Sequence, residues 1–157
     1  MGGVTISLTG AKEIDLVLKN LPDAVSHKVL SAAHAAAAKP LVQREQLLAP
    51  EGPTGNLVDS IGVIRTTLSK AGEIGEVKVG PRKGGRYKGY AGHLVEYGTN
   101  QRRTKGRGKY KKAANRGVMR AKPFAQPAFN QTKGEVEKRI GTEVAKSLNR
   151  TMKRYLR

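Results

Sequence analysis

The sequence predicts an α+β fold: a small antiparallel sheet packed against a long alanine-rich helix and a C-terminal helix, with a basic arm inserted between them. Three observations carry this expectation. Residues 23–48 hold helically spaced alanines and aliphatics. Residues 57–97 hold three short β-like runs separated by glycine-rich turns. Residues 132–152 return to helical spacing after a stretch crowded with cations.

Taken in order, Val4–Leu8 alternates apolar and polar residues and reads as a short strand closed by Thr9-Gly10. A helix follows through Ile14, Leu16, Val17, Leu18 and Leu21. Asn20 and Asp23, on either side of Pro22, mark the start of a second helix, which runs through Val25, Val29, Ala32, Ala33, Ala36 and Ala37. Such a row of alanines lets another helix approach closely. Pro40 bends this helix or ends its first segment, because proline has no N–H to donate, and Leu41–Leu48 continues it. The cluster Ala49-Pro50-Glu51-Gly52-Pro53-Thr54-Gly55 is a loop.

Leu57–Thr67, Glu73–Gly80 and Tyr90–Tyr97 read as three strands of an antiparallel meander, with Pro81–Gly89 a basic, glycine-rich turn. Gln101–Lys122 has no acid and almost no apolar residue, so it cannot build a core and reads as a mobile arm over 101–122. Thr132-Lys133-Gly134-Glu135 has capping-box spacing and is expected to open the terminal helix. Val136, Ile140, Val144, Leu148 and Met152 lie four apart. At 100° per residue such a stripe winds around the helix, so one end can face the domain and the other a neighbour.

At 157 residues the chain fits a single domain, 1–157. Aromatic residues make up 4% of it, with two Phe and no Trp, which predicts a thin core supplemented by contacts between subunits. The absence of cysteine excludes disulfides and thiolate metal sites. Met1–Thr5 lacks the features of a secretory signal, and no apolar run approaches the roughly 20 residues that cross a bilayer. A soluble chain, used in a cytoplasm and without a membrane partner, is expected.

The charge of +18 is uneven: residues 1–100 carry 12 Lys/Arg against 9 Asp/Glu, residues 101–157 carry 18 against 3. The arm supplies Arg102, Arg103, Lys105, Arg107, Lys109, Lys111, Lys112, Arg116, Arg120 and Lys122. Such a segment fits an acidic partner, either a protein surface or nucleic acid. Tyr110 among the cations could stack on a base.

Catalytic chemistry finds little footing. His27 and His34, seven apart, share a helix face and are read as incidental rather than as metal ligands. His93 and Glu96, placed on a strand, would point to opposite faces and form no acid–base pair. Gly106-Arg107-Gly108 lacks the third glycine of a dinucleotide loop, and no serine sits in a nucleophile elbow. No enzyme, cofactor or metal is expected.

Three patterns, taken in order, identify a resemblance. The first is Pro50 followed by Thr54-Gly55-Asn56-Leu57 and Ser60, after an alanine-rich helix. The second is Val79-Gly80-Pro81, then Tyr90-Ala91-Gly92-His93-Leu94-Val95-Glu96-Tyr97-Gly98-Thr99. The third is Pro123-Phe124-Ala125-Gln126-Pro127-Ala128-Phe129 leading into a terminal helix. Together they resemble the tail-completion or head–tail connector (neck) family of long-tailed double-stranded DNA bacteriophages. The resemblance implies a structural virion protein in a homo-oligomeric ring, a hexamer, that completes the tail or joins tail to head. It would contact head-closure, tail-terminator or tail-tube subunits, with viral DNA a further candidate, after assembly in the host cytoplasm. The basic insertion departs from the pattern. The other reading of the charge is a small basic nucleic-acid-binding protein.

Physical roles for the motif residues follow. Thr54-Gly55 and Gly98-Thr99 suit tight turns. Pro123 and Pro127 fix the path that places Phe124 and Phe129 in apolar surface. Glu96 is expected to make a structural hydrogen bond or an inter-subunit ion pair.

Overall fold

The computed structural model describes residues 11–104 and 113–155; the strand expected over Val4–Leu8 lies outside them. Helix α1 (Ala11–Lys19) ends where Asn20 Nδ2 donates to the Leu16 carbonyl at 2.8 Å. Helix α2 (Asp23–Ala37) starts after Pro22, and no side chain caps it, so the expected Asn20–Asp23 pairing is not formed. Instead Ser26 Oγ donates to the Leu18 carbonyl at 3.1 Å and ties α2 back to α1. Helix α3 (Lys39–Leu48) continues almost directly, with Pro40 in its first turn, where a missing N–H costs least.

Helix α6 (Ala125–Tyr155) is the spine of the molecule and packs along both α2 and α3. Val29, Ala33 and Ala37 of α2, four apart, are buried, as are Ala128, Val144 and Leu148 of α6. Small side chains on α2 bring the two backbones close enough for Ser147 Oγ to donate to the Val29 carbonyl at 2.9 Å. A smaller core cluster joins α3 to the middle of the chain: Phe124, Ile61 and Ala49, flanked by Val42, Leu48, Leu57, Val58 and Val95.

The strands depart from the expected meander. Among the described residues they form three separate two-stranded antiparallel ribbons. Strands β1 (Ile61–Arg65) and β2 (Val77–Pro81) pair from Ile61↔Pro81 to Arg65↔Val77. Strands β3 (Lys83–Gly84) and β4 (Tyr87–Lys88) make a minimal hairpin within the expected basic turn. Strands β5 (Thr99–Thr104) and β6 (Ala114–Met119) form the third, so the segment expected as an arm without structure is paired at both ends. The expected strand over Leu57–Thr67 begins with a helical turn, α4 (Asn56–Ser60). That over Tyr90–Tyr97 is helical throughout: a 3-10 turn at Gly89–Ala91 and then α5 (Gly92–Tyr97).

Close approach explains the last of these. A Cβ on Gly89 would lie 2.6 Å from Ser60 Oγ and one on Gly92 2.5 Å from Pro81 Cγ. The coil of 89–97 is thereby pressed onto the end of the β1–β2 ribbon. Short apolar runs fit strand or buried helix equally well, and here tertiary contacts decide.

The two helix histidines serve the fold. His27 Nε2 donates to the Thr66 carbonyl at 2.8 Å, and its Nδ1 accepts the Gly75 N–H at 3.0 Å. His34 Nδ1 donates to the Gly75 carbonyl at 2.8 Å. Both sides of one peptide residue are thus held by the face of α2. Gly75 has φ +82°, and a Cβ there would meet Leu30 Cβ at 2.3 Å, so only glycine lets the loop come this close. No group of three or more His, Asp or Glu among the described residues could hold a metal ion.

Candidate assembly interface

The start of α6 depends on a residue distant in sequence. The capping box expected at Thr132–Glu135 is not used: α6 begins seven residues earlier, and Thr132 Oγ1 donates to the Ala128 carbonyl inside the helix. Its free N–H groups meet Glu96 of α5 instead. The Glu96 carboxylate accepts from Phe124 N at 2.8 Å, Ala125 N at 3.0 Å and Gln126 N at 3.2 Å. Residue 127 is proline and has no N–H, and Ala128 N already reaches the Phe124 carbonyl at 3.1 Å. Every N–H of the first turn is accounted for. Burial alone would raise the pKa of Glu96, but these three backbone donors outweigh it and hold the group below the ordinary carboxylate range. With α5 in place of a strand, Glu96 points inward while His93 stays exposed.

Beside Glu96 lies Glu45, only 3% exposed, whose Oε2 has no hydrogen-bond partner among the described residues. Burial, and then the negative charge of Glu96, push its pKa up from 4.5 to about 7. The sign follows directly. Between these values the folded chain keeps a proton that the unfolded chain releases, so Glu45 costs stability increasingly as pH rises. In dilute protein, as the isolated chain, Glu45→Gln is therefore expected to gain on the order of 2 kcal/mol at pH 8 and nothing at pH 4. Urea unfolding at the two pH values checks this, and an equal change at both would contradict it.

Glu45 sits on the floor of a long groove. His34, Ala38, Leu41 and Glu45, spaced four, three and four, present one face of α2–α3 upward across the Pro40 junction. One wall is β2, through Val77 and Val79, with Glu73, Ile74 and Glu76 of the preceding loop. The other is α6, through Ala125, Gln126, Phe129, Val136 and Ile140. Tyr97 and Pro123 close one end beside Glu96. Glu45, Glu73, Glu76 and Glu96 line this groove, and no Lys or Arg among the described residues does, although the chain holds 30 cations against 12 acids. Glu76 is engaged by Lys78 at 3.3 Å and by the Gly72 N–H at 2.7 Å. Of the two phenylalanines expected to lie in apolar surface, Phe124 is enclosed within the chain, whereas Phe129 is 51% exposed and the nearby Tyr97 82% exposed.

At the same end of the groove the β5–β6 ribbon leaves the body. Arg102 and Arg103 of β5, Arg116 and Val118 of β6, and Arg120 are exposed. Lys105, Arg107, Lys109, Lys111 and Lys112 lie outside the described residues. Thr99 Oγ1 accepts the Met119 N–H at 3.1 Å at the ribbon's base. Gly98 makes the exit possible: it has φ +72° and ψ −172°, and a Cβ would meet the Met119 carbonyl oxygen at 2.7 Å. That backbone region is open to glycine alone. Gly98→Ala is expected to cost about 2–3 kcal/mol and to loosen the ribbon. The urea midpoint and amide exchange over Thr99–Arg103 measure both, and unchanged values would contradict the assignment.

The remaining motif residues are structural neighbours of these features. Gly55, φ +62°, precedes α4, and its carbonyl accepts the Asp59 N–H at 3.1 Å. Leu57 packs on the Phe124 cluster, and Ser60 is fully buried, donating to the Leu57 carbonyl at 2.7 Å. Arg82 is held over the Tyr87 ring at 3.6 Å and donates from Nε to the Ser60 carbonyl at 2.9 Å, an anchor the sequence does not advertise. Gly80 lies in β2 opposite Gly62, Thr54 is exposed in the loop, and Pro50 is half-buried beside α3.

No curated protein and no solved structure matches the chain. One family does, over residues 12–98, more than half of the 157 residues and ending where the ribbon begins. Its description reads "Bacteriophage HK97-gp10, putative tail-component". The chain belongs to this HK97-gp10-like family of phage tail components.

Proposed function

We propose that this protein is a structural, non-enzymatic component of the virion neck, which completes the tail or joins it to the head as a closed ring of identical subunits, a hexamer. The observation that carries the proposal is the β5–β6 ribbon. A free two-stranded ribbon is at best marginally stable in water, and this one carries exposed arginines with little apolar cover of its own. Such an element gains its stability from a partner. The family description supports a role in the tail, and the half-exposed Phe129 beside an open groove adds unburied apolar surface of the sort that assembly covers. Head-closure, tail-terminator or tail-tube subunits are the neighbours such a ring would meet.

A phage mutant that does not make this chain tests the role. Filled heads and separate tails should accumulate, and added purified protein should restore infectious particles. A normal yield of infectious particles without the chain would refute the neck assignment. The ribbon's arginines also suit nucleic acid, and that second reading makes the chain a salt-sensitive DNA or RNA binder.

A further inference from the structure

We infer that the carboxylate-lined groove over α2–α3 receives the base of the β5–β6 ribbon from a second copy of this chain. The inference rests on the ring reading above and names its subunit interface. Three observations meet here.

The first is the groove's chemistry. Its floor and walls are apolar at Leu41, Val77, Val79 and Ile140, yet Glu45 is set into the floor with one carboxyl oxygen unpartnered and almost no exposure. A buried unpaired carboxyl oxygen is costly, and no group among the described residues pairs with it. A guanidinium suits this lining, since its planar N–H fork matches the groove's carboxylates and its stem tolerates apolar walls.

The second is complementarity within one sequence. Among the described residues no Lys or Arg lines the groove, whereas the ribbon base offers Arg102, Arg103 and Arg116 together with Val118, 68% exposed. These supply the charge and the apolar contact that the groove lacks.

The third is placement. The ribbon leaves the body at the end of its own groove marked by Tyr97 and Pro123, and its arginines are solvent-exposed and do not lie in that groove. A donor element at one end of a receptor site, both on the same chain, makes a head-to-tail contact. Repeated by a rotation that closes on itself, such a contact makes a ring.

The chain has no cysteine, so introduced thiols report without background. Chains carrying either Val118→Cys or Gln126→Cys, both exposed positions, are co-expressed, oxidised, and sized by light scattering and non-reducing gel. The expected result is a ring-sized particle containing disulfide-linked pairs with one chain of each kind, at least tenfold more abundant than same-variant pairs. Arg102→Glu/Arg103→Glu, a change at exposed positions that leaves the core intact, is expected to weaken self-association at least tenfold. A ring-sized particle that lacks mixed pairs, or that forms unchanged in the double-glutamate variant, overturns this interface and leaves the ring reading standing. A monomer without mixed pairs overturns both.

Discussion

Glu96→Ala is expected to destabilise the protein by about 3–4 kcal/mol, although the side chain makes no ion pair among the described residues and belongs to a six-residue helix. It accepts three backbone N–H groups at the start of a 31-residue helix, and one of those donors, on Phe124, is itself buried. Removing the carboxylate strands all three donors and also removes a negative charge from the positive end of the helix dipole. Glu96→Gln should lose about half as much, because one oxygen still accepts while the amide N–H₂ faces donors. The native pKa is depressed, so the cap is complete above the ordinary carboxylate pKa and is lost as pH falls through the native one. Urea unfolding at pH 7 and amide exchange in the first turn of α6 measure the effect. A loss below about 1 kcal/mol with unchanged exchange would show that α6 starts without Glu96.

Phe124→Ala is expected to cost about 3–5 kcal/mol, the range for emptying a closed aromatic site. Phe124 is 1% exposed and packs with Ile61 and Ala49, joining α3, α4, β1, α5 and α6 in one cluster. In a chain with two phenylalanines and no tryptophan, Phe124 is the largest fully buried side chain among the described residues. Phe129→Ala is the matched control: it is half-exposed on the groove wall, so the monomer should lose less than about 1 kcal/mol while self-association suffers. Chemical denaturation of both variants in dilute protein checks the contrast. Equal losses would mean that Phe129 is a core residue and the groove is closed.

How legible this was in the sequence depended on the range of the interaction. The alanine row of α2, the break at Pro40 and the loop at 49–55 follow from local chemistry, and the structure has all three. Tyr90–Tyr97 failed as a strand because a short apolar run has no decisive period. Its helical state is fixed by the contacts of Gly89 and Gly92 with Ser60 and Pro81. The capping box at Thr132–Glu135 misled for a related reason: the true cap, Glu96, is 28 residues away from Phe124, and no local window links them. The proline at position 127 was the available signal, since proline is at home in a first helical turn. The single meander dissolved into three ribbons once the coil of 89–97 intervened between β4 and β5. Of the candidate site, Glu96 and the arginines stood out by motif and by charge. Glu45 did not, because an acid in a helical pattern gives no sign that it will be buried, and its significance is wholly tertiary.

The central claim is that this chain works by assembling with copies of itself. The most direct test is its mass in solution by light scattering, at about 0.15 M and about 0.5 M salt, with and without a short DNA duplex. The account expects a closed particle of about six chains at the lower salt that is indifferent to the duplex. A monomer that binds the duplex tightly at low salt and releases it at high salt would contradict it and make the chain a nucleic-acid-binding protein.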